Sequence, residues 1–290
     1  MLIYHDDEYV RQPKLQKLNR SFLAIPGLHM FGETDFKKAA IPLHEHIHPN
    51  RYEFTLILTG SQQYSVGSET YLLTGGDVFM TSPNEVHGNN QMPQSVARFL
   101  WFQLDISCAC GFLGLDHPFS DRLYEALIGY RRRVTHIPSA DIDLLSRSFQ
   151  CFLADTDAQR RLGHSLFLAF LSALLLPGDD TPQITADIQR VLDYIESHIA
   201  SELDFDTLAD VGTMSVSHLK SKFREQLGTA PREYINRLKI DRAKELLLHG
   251  SKTITEVAFD LNFSSSNYFA SVFKQFTGYT PTEYLKMNRK

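Results

Sequence analysis

Phe223-Arg224-Glu225-Gln226-Leu227-Gly228-Thr229-Ala230-Pro231-Arg232-Glu233-Tyr234 is answered fifty residues later by Phe273-Lys274-Gln275-Phe276-Thr277-Gly278-Tyr279-Thr280-Pro281-Thr282-Glu283-Tyr284. Phenylalanine, glycine, proline, glutamate and tyrosine recur at matching offsets, and a basic residue follows the phenylalanine each time. A period of this length marks a repeated supersecondary unit. Upstream, Leu208-Ala209 aligns with Val257-Ala258 at an offset of 49, so the second copy has one extra residue in its turn. Each copy reads as two helices joined by a tight turn. In the first, Leu208 and Ala209 lie on a short helix, residues 212–214 turn, and Ser215 caps a second helix through its hydroxyl. Leu219 and Phe223 share the buried face of that helix, which turns Val216, Ser217, Lys220 and Ser221 toward solvent. The second copy repeats the pattern with Ile254, Val257 and Ala258, a turn at 262–264, and Phe269 and Phe273 inward. Gly228 and Gly278 suit helix C-termini, with Pro231 and Pro281 shortly after them.

A helix with an apolar seam and a small, polar, partly basic outer face has the shape and chemistry that enters a DNA major groove. Between the two copies, Arg232 to His249 reads as one helix of about 18 residues, ~27 Å long at the usual rise. That rigid spacer is of the right order to hold two reading helices about one DNA turn, ~34 Å, apart. A shortfall is met by bending the DNA.

With the strings Leu208-Ala209-Asp210-Val211-Gly212-Thr213-Met214-Ser215 and Ile254-Thr255-Glu256-Val257-Ala258-Phe259-Asp260-Leu261-Asn262-Phe263, residues 183–290 resemble the DNA-binding domain of AraC-type (AraC/XylS) transcriptional regulators. The resemblance implies that the outward residues of each second helix read bases. Here these are Ser217, Lys220 and Ser221, and Asn267, Tyr268 and Ser271, with Lys222, Arg224 and Lys274 as further DNA contacts. Ser271 stands where the family often has arginine, which implies weaker or more shape-dependent readout in that half.

Total charge points the other way. The 290 residues carry 29 Lys and Arg against 34 Asp and Glu, a net of −5. Residues 211–290, however, hold 13 basic and 7 acidic side chains, a net of +6, so the excess sits on the segment with both reading helices. A modest excess of this kind predicts a limited phosphate footprint.

Residues 20–105 read as short strands between turns at Pro26-Gly27, Pro49-Asn50, Gly60-Ser61, Gly67-Ser68, Gly75-Gly76 and Pro83-Asn84. From about Pro118 apolar residues recur at three and four, so helices replace strands. The turn-rich stretch 177–182 then reads as a linker. Short strands with regular turns fit an antiparallel sandwich or small barrel, and the AraC-type resemblance implies a two-domain α+β chain: an N-terminal antiparallel β cupin-like barrel plus helices, and a C-terminal all-α domain with two helix-turn-helix motifs. Its parts are 1–117 as a cupin-like effector-binding domain, 118–182 as a helical dimerisation or linker segment, and 183–290 as the DNA-binding domain. The nearly all-apolar run Leu166–Leu176 either joins two chains as a homodimer or packs on its own barrel.

The N-terminal half resembles the cupin-like effector domain of many AraC-type regulators through His44-x-His46-x-His48, the run Tyr52–Gly60, Gly75-Gly76-Asp77-Val78 and Pro83-Asn84-Glu85-Val86-His87. His46 and His48 point to one side of a strand. Glu53, five residues on, would face away unless Pro49-Asn50 resets the register. With His87 they match the three-histidine, one-carboxylate set of metal-binding cupins, whose donors suit zinc, manganese or iron. The same four residues are the candidate effector-binding groups.

Two functions follow. One is a ligand-responsive transcriptional regulator that binds double-stranded DNA, senses a small polar effector of sugar type, and meets RNA polymerase if it activates. The other is a metal-dependent cupin enzyme fused to a DNA-binding domain. No catalytic acid, base or nucleophile motif accompanies the four residues, so the reading is a regulator and not an enzyme. Three cysteines, an odd number, fit reduced thiols and a cytoplasmic chain. The N-terminus lacks the charge order of a secretory signal, and no apolar run approaches the ~20 residues of a membrane span.

Overall fold

A computed structural model describes residues 11–12, 15–154, 156–176, 184–250 and 252–288. The 177–182 linker lies outside them. Two compact units form: one from residues up to 35, 43–91 and 97–182, the other from 183 onward together with the short stretches Phe36–Pro42 and Met92–Val96.

The first unit opens with β1 (Arg11–Gln12), β2 (Leu15–Asn19), a single helical turn α1 (Arg20–Leu23) and β3 (Leu28–Phe36). β4 (Arg51–Val66), β5 (Glu69–Thr74), β6 (Asp77–Thr81), β7 (His87–Gly88) and β8 (Ala97–Asp105) follow. After α2 (Phe119–Gly129) comes a short β9 (Val134–His136), then α3 (Ser139–Leu153) and α4 (Asp157–Leu175). The strands run β1-β2-β3-β8-β4-β6-β9, with β5 and β7 also on β4, and every pairing on this list is antiparallel where its register is described. Three expectations are corrected here. Gly60-Ser61 is no turn: β4 runs through it, with Gly60 at φ +80° beside a register shift between Ile57 and Thr59. Glycine relieves the strain of that bulge, and the strand bends there to exchange β8 and β6 for β5 and β7 as partners. Strands also precede residue 20, and β9 interrupts the helical stretch.

Alternation along β4 divides the unit into two faces. Phe54 and Leu56, with Val78 and Met80 of β6 and Leu100, Phe102 and Leu104 of β8, form one apolar face. Phe149 and Phe152 of α3 and Phe167, Phe170, Leu171 and Leu174 of α4 complete the same core. Phe102 lies 5.1 Å from Phe54 in a stack and 5.1 Å from Phe167 edge-on. Thus the apolar helix packs on its own sheet, while Leu162 and Leu176 remain exposed. The opposite face carries Glu53, Thr55 and Ile57.

The second unit has seven helices among the described residues: α5 (Ala186–Ser197), α6 (Phe205–Gly212), α7 (Val216–Leu227), α8 (Pro231–His249), α9 (Ile254–Asp260), α10 (Ser266–Thr277) and α11 (Pro281–Asn288). Ser215 and Ser265 cap α7 and α10, accepting from the His218 and Tyr268 amides. Gly228 and Gly278 end those helices in left-handed conformation, and Pro231 and Pro281 open the next ones. There are two cores. Leu208, Leu219, Phe223 and Ile188 anchor one, and Val257, Phe269, Phe273 and Leu247 the other. α8 serves both, giving Ile235 to the first and Ile240, Ala243 and Leu247 to the second. Val216, expected in solvent, packs partly against the first core.

The repeat reaches further back than its motif. Arg190 of α5 donates through Nε to the Val211 carbonyl at 3.4 Å, and Lys239 of α8, 49 residues on, donates through Nζ to the Asn262 carbonyl at 3.4 Å. Each unit therefore has three helices, with a basic residue from the first bracing the region of the turn. Lys239 is buried over the Phe263 ring, and burial lowers the pKa of its ammonium.

Because the two cores share only α8, Phe223→Leu and Phe273→Leu should each cost about 1 kcal/mol. In urea denaturation the double substitution should cost their sum to within about 0.5 kcal/mol. A larger coupling would mean that the cores are one.

Candidate functional site

The inner face of the sheet gathers the predicted donors. Residues 49–50 form a turn with Asn50 at φ +54°, and the His48 carbonyl accepts from the Arg51 and Asn84 amides. That turn resets the register and brings Glu53 to the histidine side. His46 and His87 pair as an antiparallel bridge, each amide donating to the other's carbonyl at 3.0 and 3.1 Å. Asn89 holds the same loop, its Oδ1 accepting from the Leu43 amide at 3.0 Å. Gly88 allows this approach, since a Cβ there would stand 3.0 Å from the Leu43 carbonyl and 3.2 Å from the Glu45 nitrogen.

One ligand atom from each of His46, His48, Glu53 and His87 lies within 4.8 Å of the others. His46 Nδ1 sits 2.8 Å from the His44 carbonyl and His87 Nδ1 sits 3.0 Å from the Glu85 carbonyl. As donors, those nitrogens leave Nε2 of each ring with a lone pair, the arrangement usual behind metal-ligating histidines. Glu53 lies 3.2 Å from His48 Nε2 through Oε2 and 3.6 Å from His87 Nε2 through Oε1. The buried His87 Nε2 has no hydrogen-bond partner. His44, outside the donor set, contributes its carbonyl only.

Burial pulls the His46 pKa down to about 4, and His87 nearby adds to the effect. Burial also opposes charge on Glu53 and on His87, but His48 first and then His87 hold the Glu53 carboxyl well below its ordinary value, and Glu53 raises His87 above its own. The pocket thus presents a carboxylate and imidazole nitrogens, the donor set of a divalent transition metal. Sequence reasoning missed Gln103, whose Nε2 donates to Glu53 Oε2 at 2.8 Å. Only the β4–β8 register, which pairs Glu53 with Gln103, identifies it.

On the other unit, Ser217, Lys220, Ser221 and Arg224 are exposed on α7, and Asn267, Tyr268, Ser271 and Lys274 on α10. Lys222 differs: its Nζ is 2.6 Å from Asp187 Oδ2 of α5, so it faces its own domain. Neither α7 nor α10 has an acidic residue in its first turn, so no carboxylate there offsets the positive end of either helix. α7 carries three basic residues, whereas α10 carries Lys274 alone and has Ala270 where α7 has Lys220.

A buried polar site in one unit and paired helix-turn-helix motifs in the other fit a ligand-responsive, DNA-binding transcriptional regulator. Residues 41–113 match the AraC-like ligand binding domain and residues 208–287 a helix-turn-helix domain. It is similar to the HTH-type transcriptional activator RhaS of Salmonella schwarzengrund, 24% identical over 87% of this chain and 90% of that protein. With RhaS of Escherichia fergusonii the identity is 31% over 122 residues, 41% of this chain and 43% of that protein. Among solved structures, ToxT from Vibrio cholerae aligns over 96% of this chain and all of its own, at 15% identity and a TM-score of 0.37. No helix among the described residues is long and apolar enough to cross a membrane.

The Asp187 pair carries a pH signature. The Lys222 ammonium, then the Thr185 hydroxyl and the Ile188 amide, hold the Asp187 carboxyl below its ordinary range. A depressed folded pKa gives stability that is complete above the unfolded value, about 3.9, and is lost as pH falls from there toward the folded one. Asp187→Asn should flatten that part of the acid-denaturation profile and leave the profile above pH ~5 parallel to wild type. An unchanged acid limb would show that the pair does not act in solution.

Proposed function

We propose that this regulator senses its signal at a metal centre built from His46, His48, Glu53 and His87. The observation that carries the reading is the convergence of four buried or nearly buried donors, two of them with Nδ1 set against a backbone carbonyl. The metal, when bound, supplies a Lewis-acidic point for an oxygen ligand. The four side chains bind and orient it, Gln103 holds the Glu53 carboxylate in place, and Asn89 and Gly88 keep the histidine loop against β7.

On DNA, Ser217, Lys220, Ser221 and Arg224 meet one major-groove segment and Asn267, Tyr268, Ser271 and Lys274 the next. Lys222 acts within its domain instead. The role is regulatory and not catalytic, in keeping with relatives that are transcriptional activators. By the same likeness the chain activates, working with RNA polymerase in the cytoplasm. Two chains joined through the outward side of α4, where Leu162 and Leu176 are exposed, would set four helix-turn-helix units on repeated half-sites.

Elemental analysis of the purified full chain should find one divalent transition metal per chain, lost in His87→Ala and in Glu53→Ala. Metal-free wild type that also fails to take up zinc, manganese or iron would overturn the metal centre. For the DNA half, Lys220→Ala should weaken operator binding and lower the salt slope by about 1 without changing the circular dichroism spectrum. Unaltered affinity in a gel-shift titration removes Lys220 from the contact set.

A further inference from the structure

The face that carries the four donors continues beyond them. Glu53 of β4 pairs directly with Thr81 of β6 and with Gln103 of β8, so three side chains rise in one row. Two residues along, Thr55 pairs with Phe79 and with Trp101. Tyr64, from beyond the β4 bulge, stacks on Phe79 with ring centroids 4.9 Å apart and planes at 27°.

Most polar groups of these two rows are already paired. Gln103 donates to Glu53 at 2.8 Å, Trp101 Nε1 donates to Thr34 Oγ1 at 3.3 Å, and Tyr64 bonds the Thr55 hydroxyl. Thr81 is the exception: it is 2% exposed and its Oγ1 has no hydrogen-bond partner. His87 Nε2, on a residue 1% exposed, faces Glu53 Oε1 at 3.6 Å and belongs to the four metal donors. The Thr81 hydroxyl, buried on the Glu53 side of the sheet, calls for a bound group that satisfies it, because a buried polar atom without a partner is costly.

The charge balance selects the kind of group. A divalent ion against the Glu53 carboxylate leaves one net positive charge in a buried site. A buried excess of positive charge favours an anionic ligand over a neutral sugar. The Thr81 hydroxyl asks for a second oxygen close to the first, and Phe79, Tyr64 and Trp101 form an apolar wall for a short carbon skeleton. Resting on the metal centre proposed above, we infer that the effector is a small 2-hydroxy carboxylate of the sugar-acid type. Its adjacent oxygens meet the metal, and one of its hydroxyls pairs with Thr81.

The chain contains one tryptophan, Trp101, beside this row, which supplies a reporter. Full-length protein is loaded with Co(II), and its visible absorption and Trp101 fluorescence are followed while glycolate or glycerate is added. Acetate, which has the carboxylate alone, and ethylene glycol, which has hydroxyls alone, serve as comparisons. Glycolate and glycerate should shift both signals with midpoints at least tenfold below those of the comparison compounds. Thr81→Val should raise the midpoint about tenfold and Thr81→Ser should restore it. A Co(II) band that ignores glycolate and glycerate, or that responds equally to acetate or ethylene glycol, overturns the effector assignment while leaving the metal centre standing. Absence of any Co(II) band removes the metal centre and this inference with it.

Discussion

Along β4, alternate side chains face the helices and the sensor site, and a slip of one residue would exchange the two sets. Phe54 and Leu56, both fully buried, are what prevent it. Each apolar side chain of this size gains roughly 1.5–3 kcal/mol on burial, and a slipped register would take both out of the aromatic core and into the polar histidine site while burying Glu53 and Thr55 in that core. The cost of holding a carboxylate among histidines is thus offset by packing on the far side of the same strand. Site geometry is in this sense a by-product of core geometry, and the helices α3 and α4 position the site as much as the residues that line it.

The two DNA-reading units solve one packing problem with different glue. In the first, α7 is tied to α5 by the ion pair of Lys222 with Asp187. Fifty residues on, the place of Lys222 is taken by Val272, which is buried in the apolar core of the second unit. Both arrangements hold a reading helix against its neighbour. The polar one is sensitive to acid and salt, whereas the apolar one is not. The outer faces differ in the same direction: α7 is basic, while α10 offers an amide, a phenol and hydroxyls.

How much of this is legible in the chain depends on the range of the interaction. The helix-turn-helix pair is visible because Phe223 and Phe273, Gly228 and Gly278, and the serines that cap α7 and α10 act within a few residues of one another. His46, His48 and Glu53 are visible for the same reason, once Pro49-Asn50 is allowed to reset the strand, whereas His87 arrives from a later strand and is reached only through the resemblance to metal-binding cupins. Thr81 and Gln103 are silent in the sequence, since only cross-strand register sets them beside Glu53. Gly60-Ser61 has local turn chemistry, yet the pairing of β4 with β5, β7 and β8 converts it to a bulge. Lys222 misleads in a similar way, as its partner lies 35 residues back on another helix. A strand of three residues such as β9 is too short to display a period at all.

Helix α8 joins the two cores as one continuous element, giving side chains to each from different turns. Adding or deleting one residue within it would not merely change a length by ~1.5 Å; it would swing everything downstream by about 100° around the helix axis. The distance and the phase between the two reading helices are therefore inherited together, as a single quantity. Promoters served by this protein can drift in base sequence, but their two half-contacts must keep step with an unalterable ruler.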